Sequence, residues 1–377
     1  MSSDLKTTPP SPLGGQPTQT PHVAKAPRSR GFAADAWRRF SRRPLAMMAL
    51  FFIGFLAVVA IFSPAIAGRR PVVCKYKGRL YFPCLYYFNA SLENPIFFTD
   101  GFEQKFYYNL KNKDPNSWAI WPIAYQDPAD PIVDGEFPGI PANPSWSPPT
   151  RQNWMGTTGR GVDVFAQMVH GTQIALLVGF VSTGLAAVIG IVLGGIAGYL
   201  GGVADMIISR STEIVMCIPT LILILALMAI VEKPSIWYTM LVIGVTSWPS
   251  ISRLTRAEFL KLRMAEYVTA ARAIGASTPR IIFFHVLPNA MAPILVPISF
   301  GIAASILLEA GLSVLGIGAP PETPSWGTIL NIGRESKSAW WMIAFPGAAI
   351  FLTVLAYNLI GEGLQEATDP RLRESKK

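Results

Sequence analysis

Charge is scarce in this chain of 377 residues: only 15% are Asp, Glu, Lys or Arg, against about 25% in soluble domains. Cysteine and histidine are scarcer still, at three each. His22, His170 and His285 stand far apart, and none has a second ligand at metal-binding spacing. They supply neither a metal centre nor the base of a Ser/His/Asp set. No Gly-x-x-x-x-Gly-Lys-Ser/Thr phosphate loop occurs, so the chain does not bind ATP in that way. A basic face interleaved with aromatics is also missing despite a net charge of +9, which removes nucleic acid as a partner. No cofactor or catalytic residue is expected.

Apolar residues, in contrast, make up 51% of the chain. They gather into six runs, at 45–67, 170–200, 207–231, 236–252, 289–308 and 339–359. Each is about as long as a helix needs to cross ~30 Å of hydrocarbon. The 170–200 run is rich in Gly and Ala, which lets membrane helices approach closely. Pro219, Pro293 and Pro297 interrupt later runs, as membrane helices tolerate where neighbours satisfy the freed carbonyls. The expected fold is therefore an all-α integral membrane protein with six transmembrane helices. A large insertion, irregular and partly β, separates the first helix from the second.

Five stretches follow from this reading. Residues 1–36 form a disordered cytoplasmic tail, rich in Pro, Ser, Thr and Gln. Residues 37–67 carry the first span behind a basic, aromatic collar, Trp37-Arg-Arg-Phe-Ser-Arg-Arg43. Ala65-Ile66-Ala67 has the look of a signal cleavage site, but the segment before the run is too long and the run itself too extended for a signal peptide. It reads as an uncleaved anchor. Residues 68–168 form the insertion, 169–361 hold five helices with a loop at 253–285, and 362–377 end the chain.

Lysine and arginine set the orientation. The tail through Arg43 has eight basic residues against two acidic, and the short 252–285 loop has six against two. The long segment 68–169 is balanced, ten against nine. The positive-inside rule places both termini and the short loop in the cytoplasm, and the insertion outside. In an oxidising compartment, Cys74 and Cys84, bracketing a hairpin that turns at Lys77-Gly78, are expected to form a disulfide. The alternative is two free thiols. Cys217 lies in a span and reads as a packing residue.

Only Glu213 and Glu309 place carboxylates near a span, and both are expected to snorkel or to pair with a basic neighbour. This shortage argues against ion coupling, so energy for transport has to enter from another subunit. Attention then falls on the cytoplasmic loop. Between 257 and 274, Leu260, Met264, Tyr267, Val268, Ala271 and Ile274 recur with helical period. Ala270, Ala271 and Gly275 present almost no side chain, Gly275 suits a left-handed helix stop, and Ser277 with Pro279 suits a new start. Such a helix could lie on the inner leaflet or dock into a protein groove, and the physical reading leaves both open.

Thr269-Ala270-Ala271, three residues, Gly275, nine residues, then His285-x-Leu287-Pro288 resembles the Glu-Ala-Ala signature loop of bacterial ABC importer permeases. Thr269 replaces the signature Glu and His285 its Ile. Glu309-Ala-Gly-Leu-Ser-Val-Leu-Gly-Ile-Gly318, Pro324-Ser-Trp-Gly327, Ala339-Trp-Trp341 and Asp369-Pro-Arg-Leu-Arg373 are similar to the C-terminal half of dipeptide/oligopeptide permeases of the second-subunit type. Gly156-Thr157 and Gly159-Arg160 resemble their outer-face segment. The aromatic insertion, with Trp121-Pro122, resembles the subgroup that takes up microcin C-like peptides and oligopeptides.

This resemblance implies a multi-pass inner-membrane permease that imports peptides. Its partners would be a second homologous permease, two ATPase subunits that hydrolyse the ATP, and a periplasmic peptide-binding protein. It implies an ATPase-coupling role for Glu266, Thr269, Ala270, Ala271, Arg272, Gly275, Leu287 and Pro288. A channel or an ion-coupled carrier that works without an ATPase is the rival reading. Residues that bind substrate are not identified by the sequence.

Overall fold

The computed structural model of the protein describes residues 32–88, 106–232, 235–320 and 322–368. Most of the expected tail and the Asp369–Arg373 motif lie outside them. The part of the tail that is described, from Phe32, is already helical: α1 spans Phe32–Phe40 and turns at Arg43 into α2, Pro44–Ile61. Pro44 fits that first turn because its missing N–H has no partner to lose there. A short α3, Ser63–Ile66, follows. The expected single first span is thus three helical pieces.

The outward-reading segment begins with β1, Val73–Tyr76, and β2, Arg79–Tyr81. They pair antiparallel around Lys77 and Gly78, both with positive φ (47° and 77°). That is the two-residue turn whose twist suits a hairpin. After α4, Phe106–Lys113, strand β3 (Trp118–Ile120) adds to the other side of β1, giving the order β2-β1-β3. The expected disulfide is not formed: Cys74 and Cys84 are free, buried thiols. Register explains this, since Cys74 pairs with Tyr81 and Cys84 lies beyond the ladder, in a tight turn at Pro83–Tyr87. There its Sγ–H donates to the Val72 carbonyl, 3.3 Å away. Burial pushes the Cys74 thiol up to about 11.

The helical core follows: α5 (Val164–Leu200), α6 (Gly202–Cys217), α7 (Thr220–Met228) and α8 (Ile236–Leu262). Beyond them come α9 (Glu266–Ala273), α10 (Thr278–Ile281), α11 (Leu287–Val314), α12 (Trp326–Gly333) and α13 (Trp341–Thr368). A π-helical turn at Ile282–Val286 joins α10 to α11. Four stretches are long and apolar enough to cross a membrane: α2, α5, Thr278–Val314 and α13. Helices α6 and α7, bent by 86° across Ile218 and Pro219, make a fifth if taken together. Helix α8 falls outside this count because Thr, Ser, Trp and Pro dilute its apolar run and Arg253 opens a charged half. Residues 362–368, expected in a tail, continue α13. Phe40 packs there against Gly363, and Ala46 and Ala367 share its buried cluster.

The closest helix contact is that of α5 with α8. Gly190, Gly194 and Gly198 recur every fourth residue and line one face of α5. A Cβ on Gly190 would sit 2.8 Å from Ile251 Cβ, and one on Gly198 would sit 2.6 Å from the Arg256 carbonyl oxygen. A Cβ on Gly194 would overlap the Ser252 carbonyl. Only hydrogen fits, and the two backbones touch. At the far end of α5, several motifs singled out above converge. The Trp341 indole donates to the Thr157 carbonyl at 3.2 Å beside Gly156, and the Trp326 indole donates to the Met168 carbonyl at 3.1 Å.

That end also holds the outward-reading segment in place. The Tyr87 hydroxyl donates to Asp127 (2.7 Å) and accepts from the Arg69 amide (2.8 Å), while its ring lies 5.0 Å from that of His170. His170 Nε2–H donates to the Ala67 carbonyl at 2.8 Å. The Arg69 guanidinium reaches Glu136 at 3.3 Å and Asp130 at 3.5 Å. Burial and the neighbouring Asp127 carboxylate hold the Tyr87 hydroxyl well above its ordinary range. Asp163 caps α5 by accepting from the Ala166 amide (2.7 Å) and from Asn153 Nδ2 (2.8 Å).

Two outcomes follow. Gly194→Ala should lower thermal stability in detergent by the equivalent of about 1–3 kcal/mol through overpacking. Gly184→Ala, at a glycine with open space around it, should not. Burial raises the Asp163 carboxyl to about 6. The folded state therefore keeps a proton that the unfolded chain releases near pH ~4, and stability falls as pH rises from about 4 to about 6. Asp163→Asn should flatten that part of the pH–Tm curve.

Candidate coupling surface

Helix α8 stops at Leu262, and a turn at Arg263–Ala265 precedes α9. The expected continuous helix over 257–274 is therefore two helices. Val268 and Ala271, three residues apart, face inward and are buried with Phe259, Ile281, Val286 and Ile294. Ala270, one residue before Ala271, is exposed. This corrects the expectation that Ala270, Ala271 and Gly275 share one outward face: the Ala271 methyl is used up by the chain's own packing.

The end of α9 is closed by a Schellman motif. The Ala276 amide donates to the Ala271 carbonyl at 3.1 Å, and the Gly275 amide donates to the Arg272 carbonyl at 3.0 Å. Gly275 has φ +84° and open space beside its Cα, as read from the sequence. Ala276, half-buried, packs on the same cluster as Ala271. The helix is thus short, well terminated and anchored along one stripe, with the opposite side free.

Glu266, Thr269, Ala270 and Arg272 lie on that free side. The Thr269 hydroxyl is spent within the helix, donating to the Ala265 carbonyl at 3.3 Å. Arg272 reaches the Tyr199 hydroxyl at 3.5 Å, a long contact. Leu287 is half-buried against the inner cluster, and Pro288 is exposed in the first turn of α11. Leu287 and Pro288 thus seat the loop rather than extend the free side of α9. The sequence reading missed how much apolar surface surrounds it. Met264 is 76% exposed, Ile274 86% and Phe284 74%. Tyr267 is also exposed, and partial burial still raises its hydroxyl above the ordinary value.

A second missed feature is a clamp. Arg256 on α8 grips Asp205 on α6 through two hydrogen bonds, with Nη2 to Oδ2 at 2.7 Å and Nε to Oδ1. Such a bidentate pair fixes relative orientation as well as distance. The 51 residues between the partners hid it from any local pattern. Glu213 pairs with Arg210 at the surface (2.6 Å). Glu309 instead is buried and accepts from the Ser313 hydroxyl at 2.7 Å, so its expected snorkelling is corrected. Among the described residues no group of three or more His, Cys, Asp or Glu is placed to hold a metal ion.

Helices that touch at glycine, with a short terminated helix displayed at one end, suit a transport permease driven by a separate subunit. The family model for the inner membrane component of binding-protein-dependent transport systems matches residues 190–374. The model for the N-terminal transmembrane domain of oligopeptide transport permease C matches residues 31–76. The chain is 33% identical to the inner membrane ABC transporter permease protein YejE of Escherichia coli over 340 residues, which is 89% of this chain and 96% of that one. It is 40% identical to the dipeptide transport system permease protein DppC of Alkalihalophilus pseudofirmus over 226 residues, 60% of this chain and 74% of that one. A putative peptide permease of Brucella suis is 43% identical over 228 residues, 60% and 75% respectively. The chain belongs to the binding-protein-dependent inner-membrane permeases of ABC importers. It is a multi-pass inner-membrane transport protein and not an enzyme.

Replacing Gly275 tests the geometry of α9 directly. Gly275→Ala should cost about 1 kcal/mol, because an L side chain is strained at that φ. Gly275→Asn should cost less, and thermal unfolding of the purified chain separates the two.

Proposed function

We propose that this permease imports peptides, and that α9 with its apolar rim is the surface on which an ATPase subunit pushes. Peptide cargo is supported by the peptide and dipeptide permeases among its relatives and by the match to the oligopeptide permease C segment. The single observation that carries the coupling role is the combination at α9. One stripe is locked into the membrane domain, the Schellman stop is rigid, and the other side presents Tyr267, Ala270 and Ile274 outward.

In this reading six segments cross the membrane, with α8 as one span and the α6–α7 pair as another. Both termini and the 253–285 loop are cytoplasmic, and residues 68–168 form a periplasmic insertion. A second, homologous permease completes the pathway, two ATPase subunits hydrolyse ATP, and a periplasmic binding protein delivers the peptide. ATP binding draws the ATPases together, and the differential fit of α9 to their open and closed forms biases the permease between inward- and outward-facing states. Glu266, Thr269, Ala270, Arg272 and Gly275 contribute the outward contacts. Ala271, Leu287 and Pro288 pass the displacement inward. With its hydroxyl turned into its own helix, Thr269 gives the ATPase no charged partner.

Gly275→Trp in the complete transporter should abolish peptide uptake and uncouple ATP hydrolysis from the peptide-loaded binding protein, while the permease still inserts in the membrane. Normal uptake by that variant would overturn the assignment of α9.

A further inference from the structure

A cleft of about 480 Å³ opens midway along the helical bundle, between α5, α8, α11 and the break that joins α6 to α7. Its size is within the range of small-ligand sites. The lining contains no Asp, Glu, Lys, Arg or His. Its polar side chains are all hydroxyls: Thr183, Thr220, Thr246, Ser247, Ser250 and Ser305. Thr183 and Ser305 are buried and bond each other across α5 and α11 at 3.1 Å. Thr220 and Ser250 are exposed at the cleft.

The backbone around the cleft adds acceptors. Helix α6 ends at Cys217 after contributing Val215 and Met216 to the wall, so its last carbonyls have no following turn to bond. Pro249 and Pro297, also in the wall, lack the N–H that would continue their own helices' ladders. Within a membrane, interrupted backbone is stable only where it is buried in protein or lines a polar cavity, because hydrocarbon offers it no partner. A lipid tail is the wrong occupant for a wall built in this way.

We infer that this cleft is where the chain touches the backbone of a peptide in transit, an inference that rests on the peptide-import reading above. Every peptide unit offers one N–H and one carbonyl. Hydroxyls can donate and accept, and helix-end carbonyls can accept, so the wall matches a repeating amide whatever side chains it bears. With no fixed charge in the wall, acidic and basic side chains meet neither attraction nor repulsion there. This half of the pathway recognises the peptide linkage and leaves side-chain selection to another element.

The test uses the assembled transporter in liposomes, with Cys217 replaced by alanine and Ser250→Cys introduced. The new thiol should react with a charged, membrane-impermeant methanethiosulfonate. A mixture of neutral tripeptides at about ten times its half-saturating concentration should slow the reaction about tenfold by mass action. Reaction with a lipophilic maleimide alone would mean that lipid fills the cleft. Reaction only after the complex is taken apart would mean that the partner permease fills it. Equal rates with and without tripeptides would remove the peptide contact. Each of these results overturns the proposal. If the intact transporter neither imports the tripeptides nor responds to them in ATP hydrolysis, the peptide reading itself fails and the proposal with it, a result distinct from the other three. In an otherwise native chain, Ser250→Asp should slow uptake of an acidic tripeptide more than that of a basic one. An equal loss for both would mark Ser250 as merely structural.

Discussion

Everything at the loop end of this protein depends on how closely α5 and α8 approach. Within a bilayer there is no hydrophobic gain in bringing two apolar helices together, so association rests on van der Waals fit and on polar contacts. The spacing of Gly190, Gly194 and Gly198 removes every side chain between the two backbones over two turns. Helix α8 runs on from that contact to the turn that starts α9. A displacement of α9 therefore meets a helix that is seated on its neighbour backbone to backbone, and not on rotatable side chains. The Asp205–Arg256 clamp adds α6 to the same unit.

Much of this architecture can be read from the chain, and the reasons are local. Lys77-Gly78 announces a hairpin because few other pairs accept two positive φ values in succession. Gly275 announces a helix stop for a similar reason. What could not be read is mostly a question of which side faces what. The helical period around Val268 identifies a stripe, but not that the protein itself covers it, leaving Ala270 out and taking Ala271 in. The spacing of Cys74 and Cys84 suits a hairpin bridge until the register is known, and then Tyr81 occupies the place opposite Cys74. Helix α8 was read as a span from its first seventeen residues. The same helix continues into a charged half, which alters its character without ending it.

The outward-reading segment shows a different economy. It has a small three-stranded sheet and much irregular chain, so its attachment relies on polar contacts at a few points. Tyr87, Asp127, Arg69 and His170 form one such point, drawing on the end of β-rich chain, the loop before α5 and α5 itself. Trp326 and Trp341 form another, with indoles tied to main-chain carbonyls near the start of α5. Sequence motifs distributed over nearly two hundred residues thus meet at a single rim. None of them would be intelligible alone.

The bend at Ile218 and Pro219 has a mechanical meaning. Helix α6 buries only Thr212 among its side chains and is fastened near its start by Asp205. Helix α7, beyond the bend, packs through Ile224 and Met228 into the cluster of Val178, Met240 and Leu312. The two halves therefore belong to different bodies, and the joint between them has already given up its helical hydrogen bonds. An articulated segment of this kind can swing without first melting a turn. The pathway wall that includes it behaves as a hinged panel, moved from the loop end and braced at the other.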